Sequence, residues 1–167
     1  MHKLQQTRET NDRGFTIIEV VLVLAIAGLI FLMVFIALPA LQRSQADTQR
    51  RSDAGRVLSQ ISNYQTNNRG AVPAAVTGTA AGSFGDFLNT YMRVTGDTFT
   101  DPSGTDYGTT PLTILFTGSA PDTTPGDLLY ETGATCNGSS VTTTGVTGNR
   151  KVAVAIRLTG GVYCTNN

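Results

Sequence analysis

The stretch Arg13-Gly14-Phe15-Thr16-Ile17-Ile18-Glu19 opens an apolar run that lasts to Leu41, and its reading decides the fold. Ahead of it is a short polar leader, Met1–Gly14, in which Lys3, Arg8 and Arg13 stand against Glu9 and Asp12. Behind it, Phe15–Leu41 reaches about 40 Å as an α-helix, against about 30 Å of bilayer hydrocarbon. The run is too long for the apolar core of a secretory signal, and no small-x-small cleavage site follows it. Apolar side chains occupy every face, which predicts a helix that spans a membrane rather than one that lies on its surface.

Glu19 is the exception within that run. A carboxylate near the centre of a membrane helix costs about 2.5–3.5 kcal/mol, and less towards the end of the span. Glu19 sits one turn from Phe15, so part of that cost is avoided, and the rest asks for a partner. Gly28 weakens the helix and permits close packing. Pro39 removes a backbone hydrogen bond and crowds the carbonyl of Phe35, which predicts a kink or a local opening. Together they bracket a stretch that is expected to be the weak part of the helix.

The bulk numbers bound the remainder. The chain has 167 residues, enough for one domain with a modest core, and a formal net charge of 0. Without Met1–Gly14, nine basic against ten acidic side chains leave −1. That balance excludes nucleic acid as the main partner. Basic residues flank the span on both sides, with Arg43, Arg50, Arg51 and Arg56 following it, so charge counting alone does not orient it. Two cysteines, Cys136 and Cys164, come late in a chain with a membrane segment upstream. The natural reading is an extracytoplasmic disulfide, stabilising by roughly 3–4 kcal/mol through loop closure; two unpaired buried thiols are the alternative.

Gly14-Phe15-Thr16-Ile17-Ile18-Glu19, coupled to a charged leader and an uninterrupted apolar helix, resembles the class III leader of type IV pilins and the related pseudopilins of type II secretion and competence systems. The pattern is Gly, Phe, Thr or Ser, two apolar residues and Glu. Every position matches, and the detailed likeness covers Gly14–Leu41. The resemblance implies that a prepilin peptidase cuts between Gly14 and Phe15 and N-methylates Phe15. It implies a single-pass subunit in the cytoplasmic membrane that assembly machinery draws into an extracellular helical filament of identical or related subunits. Glu19 is then the assembly residue, set to meet the amine of a Phe15. Gly28 falls at a spacing common in the family. Pro39 departs from it, since the family often carries its helix-breaking proline about one turn earlier.

Past Pro39 the helix is expected to continue to about Gln65, with Val57, Leu58, Ile61 and Tyr64 at helical spacing for packing on a sheet, and with Gln42–Asp53 polar on all sides. Gly70 is the expected cap. In the long connection Ala71–Pro111, Phe84, Phe87, Leu88 and Tyr91 predict one short amphipathic helix. Asp97, Asp101 and Asp106 share a Gly/Pro/Thr-rich loop without EF-hand spacing; calcium-binding and solvated turn aspartates are both readings of them, the second favoured. Strands are expected at Leu112–Thr117, Leu128–Thr132, Lys151–Thr159 and Val162–Cys164, the third showing the clearest alternation, with a Gly160-Gly161 turn before the last. Gly133–Asn149 reads as a variable loop that a disulfide would pin to the sheet edge, in the manner of many pilins. Asn137-Gly138-Ser139 matches a glycosylation sequon within it.

No catalytic constellation is visible: His2 lies in the leader, and the cysteines and glycines form no nucleophilic or phosphate-binding motif. The sequence therefore predicts a non-enzymatic α+β protein with no cofactor and no metal. Its parts are a cleaved leader (1–14), a long N-terminal helix (15–69, membrane or filament core at 15–41) packed on a small antiparallel sheet, and a β-rich surface domain (70–167). Filament roles consistent with it are adhesion, motility or DNA uptake, with a pseudopilin as the alternative and a signal-anchored surface module as a further one.

Overall fold

The computed structural model describes residues 14–76, 78–93, 98–108, 113–118, 120–121 and 124–167. The leader ahead of Gly14, together with Asp97, Pro111 and Leu112, lies outside the described residues. Two compact units are present, Met1–Leu41 and Gln42–Asn167. A single helix, α1 (Ile17–Asn67), contributes to both.

In the first unit the helix is uncovered among the described residues. Phe15 is 89% exposed, Leu29 67% and Phe35 75%, and the most apolar window has a mean hydropathy of 3.2 with none of it buried. Such a surface is stable only against lipid or other apolar helices. The helix runs through Gly28 and Pro39 without a local opening in the isolated chain. A proline there removes one hydrogen bond from a ladder that is otherwise complete.

The second unit is built on a four-stranded sheet ordered β1-β2-β5-β6, from β1 (Ile114–Leu115), β2 (Leu128–Thr132), β5 (Val152–Leu158) and β6 (Gly161–Asn166). The sheet is mixed rather than purely antiparallel, because β1 pairs with β2 in parallel. Leu158 pairs with Gly161, so the hairpin turn is Thr159-Gly160, one residue earlier than expected. Val152, Val154, Ile156 and Leu158 of β5 face α1 and pack with Ala54, Val57, Ile61 and Tyr64. Burying side chains such as Val57 and Ile61 is worth about 1.5–3 kcal/mol each.

Between helix and sheet sits α2 (Phe84–Phe87), continued by a π-helical turn at Leu88–Met92. Ser83 caps α2 by accepting a hydrogen bond from the Asp86 amide at 3.1 Å. Phe84 stacks on Tyr130 with ring centroids 4.1 Å apart, and the Tyr130 hydroxyl donates to the Pro73 carbonyl at 2.8 Å.

The opposite face of the sheet is covered too. The expected variable loop holds a hairpin, β3 (Thr135–Asn137) and β4 (Ser140–Thr142), whose Val141 packs with Ala134, Leu129, Ala153 and Ala155. Strand β5 is therefore buried on both faces rather than one. Its small alanines let the hairpin approach closely. Cys136 on β3 and Cys164 on β6, the edge strand, form a disulfide with Cα atoms 5.8 Å apart, so the bond pins the segment at the sheet edge as expected, but as a hairpin over the sheet face and not as a loose loop. The sequon residue Asn137 is exposed at that hairpin's tip.

Candidate processing and assembly site

Gly14 and Phe15 precede the first helical residue and are fully exposed, and a side chain at Gly14 would meet nothing. Gly14 and Phe15 themselves are thus open to solvent.

Thr16 is the N-cap of α1 and Glu19 occupies the third helical position. The Glu19 carboxylate accepts hydrogen bonds from the Thr16 amide at 2.9 Å and the Thr16 hydroxyl at 2.8 Å, both at Oε2. In return the Glu19 amide donates to Thr16 Oγ1 at 3.3 Å. This is a capping box, in which two amides left orphaned at the helix start are satisfied reciprocally. The acid that seemed to lack a partner therefore has a local one. Its signal, Thr-x-x-Glu before an apolar run, was present in the sequence and was missed there. Oε1 accepts no hydrogen bond among the described residues, so one oxygen remains for a further donor. Glu19 shares a shallow apolar hollow with Phe15, Val20, Val23 and Leu24. Phe15 just before the cap and Val20 in the first turn hold the positions of a hydrophobic staple.

A second polar arrangement lies in the other unit, on the part of α1 that reads as polar all round. Arg50 and Asp53 are buried there. Arg50 makes a bidentate pair with Asp101, Nε to Oδ1 at 2.6 Å and Nη2 to Oδ2 at 3.0 Å, and its Nη1 reaches Asp47 at 3.0 Å. Asp47 also accepts from the Thr159 amide and hydroxyl, at 3.0 and 3.1 Å. Asp53 accepts from the Tyr107 hydroxyl at 3.0 Å and stands 3.6 Å from Arg56. Burial pushes the Asp101 carboxyl up, but hydrogen bonds from Arg50 and Ser103 outweigh it and hold the group below the usual range. Asp47 is likewise lowered, burial being outweighed by Thr159 and Arg50. At Asp53 burial prevails over Tyr107 and Arg56, and the carboxyl is raised. Of the loop aspartates, Asp101 is thus committed to an arginine, and Asp106 is exposed. No group of three or more potential metal ligands occurs among the described residues.

The sequence profile of the prokaryotic N-terminal methylation motif matches residues 10–35, a segment that contains Gly14, Phe15, Glu19 and Gly28. That motif supports reading the segment as a class III prepilin leader, as in type IV pilins and pseudopilins. No curated protein and no solved structure matches the chain. The long N-terminal helix on an antiparallel-rich sheet agrees with a pilin-like fold. The prepilin motif and the uncovered apolar helix together fit a membrane-anchored precursor of a structural kind.

Proposed function

We propose that this chain is the prepilin of a type IV pilus filament. It is cut between Gly14 and Phe15, N-methylated at Phe15 and assembled through packing of the Phe15–Leu41 helices. The surface domain would serve adhesion, motility or DNA uptake. The observation that carries the reading is the capped Glu19 at the head of an uncovered apolar helix, with one carboxylate oxygen still free. Cleavage would turn Phe15 into an ammonium group, the donor that this oxygen lacks. A charge buried among apolar helices is tolerated only when paired, and losing one partner costs about 3–5 kcal/mol. Gly28 and Pro39 would supply the place where the helix adjusts to its neighbours during assembly.

N-terminal sequencing of the mature protein from its host tests the first step: methyl-phenylalanine corresponding to Phe15 is expected, and a chain that still starts at Met1 would overturn the reading. Electron microscopy of cells with and without the gene tests the second. Surface filaments lost on deletion support the pilus subunit. Filaments unaffected by deletion, with secretion or competence lost, point instead to a pseudopilin.

A further inference from the structure

Immediately after the apolar run, α1 and three loops of the second unit enclose an open groove of about 610 Å³, lined among others by Gln42, Arg43, Gln45, Gln49, Ser103 and Thr159. Its carboxylates are spent. The carboxylates behind it, Asp47 and Asp101, are turned to Arg50, to Thr159 and to the Ser103 amide, the last at 2.9 Å. Donors remain. Arg43 is exposed and has no hydrogen bond or ion pair among the described residues, and neither do the side-chain amides of Gln42, Gln45 and Gln49 or the Ser103 hydroxyl. A groove that presents one guanidinium, several amides and a hydroxyl, with its carboxylates occupied, suits an anion with several acceptor oxygens.

Position along the helix identifies the anion. A helix of about 40 Å centred on about 30 Å of hydrocarbon ends about 5 Å beyond it on each side, so Leu41 already stands within the interfacial layer, which is roughly 5–8 Å deep. Gln42 and Arg43 then follow at its outer part, and the long Arg43 stem lets its head reach the plane of the phospholipid phosphates.

We propose that this groove holds the phosphate of one phospholipid headgroup while the subunit resides in the membrane, with Arg43 as its principal ligand. This rests on the membrane reading of Phe15–Leu41. The bound lipid is a contact that assembly has to release, so the groove is a retention device for the waiting subunit. Because Arg43 and Arg50 are balanced by Asp47 and Asp101, the site recognises the phosphate and does not require a net anionic lipid.

The test uses the full chain in nanodiscs of phosphatidylethanolamine and phosphatidylglycerol, with lipids that survive detergent-free release counted by native mass spectrometry. Wild type should keep one lipid, of either headgroup. Arg43→Gln should lower that retention about tenfold, the scale of one charge-assisted hydrogen bond. Arg43→Lys should restore part of it, and Arg150→Gln, remote from the groove, should change nothing. Failure of the wild type to insert would defeat the membrane reading itself. Insertion without a retained lipid, equal retention by Arg43→Gln, displacement of the lipid by inorganic phosphate, or a second copy in place of the lipid would each overturn the groove proposal alone.

Discussion

Glu19 carries two loads that are separable by substitution. Within the chain it closes the capping box with Thr16; between chains it would meet an amine. Thr16→Ala removes the cap hydroxyl and should weaken the helix start by about 1 kcal/mol. Amide exchange at Glu19 in detergent micelles should then quicken about fivefold, while unchanged exchange would mean that the box does not hold in the membrane. Glu19→Val abolishes both roles yet removes the only charge from the run, so it should insert as well as wild type and give little filament. Wild-type filament yield from that variant would remove Glu19 from assembly. The Thr-x-x-Glu spacing needed only local geometry to be read, because both partners lie within one turn.

Among the elements, legibility follows the range of the interaction. The helical spacing from Val57 to Tyr64 and the alternation of Val152, Val154, Ile156 and Leu158 announced the faces that meet in the core. Gln42–Asp53 read only as polar on all sides, because the partner of Arg50 stands 51 residues away and no local pattern reports such a pairing. The β3–β4 hairpin was hidden for a different reason: Thr, Ser and Gly dominate it, and it is held by a disulfide and a few apolar contacts rather than by an alternating pattern. Replacing both Cys136 and Cys164 by serine should therefore destabilise the second unit by about 2–5 kcal/mol. A denaturant midpoint that does not move would show that the hairpin stays seated without the bond. At the end of α1, Gly70 has φ of +84°, and an added Cβ would press on the Arg150 guanidinium. Gly70→Ala should cost about 1–2 kcal/mol by the left-handed penalty alone. A variant as stable as wild type in the same unfolding assay would show that the chain can leave the left-handed turn.

At the scale of the whole molecule, the neutral formal charge conceals a segregation. Asp53, Asp101 and Asp127 are buried with Arg50 as their one buried base among the described residues, while Arg43, Arg51, Arg69, Arg150 and Lys151 are exposed. Stability is consequently coupled to pH with two opposite signs. Asp53 is held above its ordinary value by burial, and Glu131 is raised by burial as well. As pH falls through those raised values, the folded state takes up protons before the unfolded chain does, and stability rises until the unfolded carboxylates titrate at about 3.9–4.3. Asp47 and Asp101 are held low by their hydrogen bonds, so their contribution is complete above the unfolded value and is lost as pH falls through their folded ones. Urea unfolding of the full chain in micelles from pH 7 to pH 3 should thus show stability rising on the acid side of neutrality as Asp53 and Glu131 take up protons, and falling again at lower pH as Asp47 and Asp101 do. Asp53→Asn should flatten the rise from neutrality. Asp101→Asn should lower stability throughout, since Arg50 loses its bidentate partner, and should shrink the acid fall. A wild-type stability that declines steadily from pH 7 would mean that Asp53 is not held protonated by its surroundings, and the balance between burial and the Tyr107 and Arg56 contacts would have to be reversed.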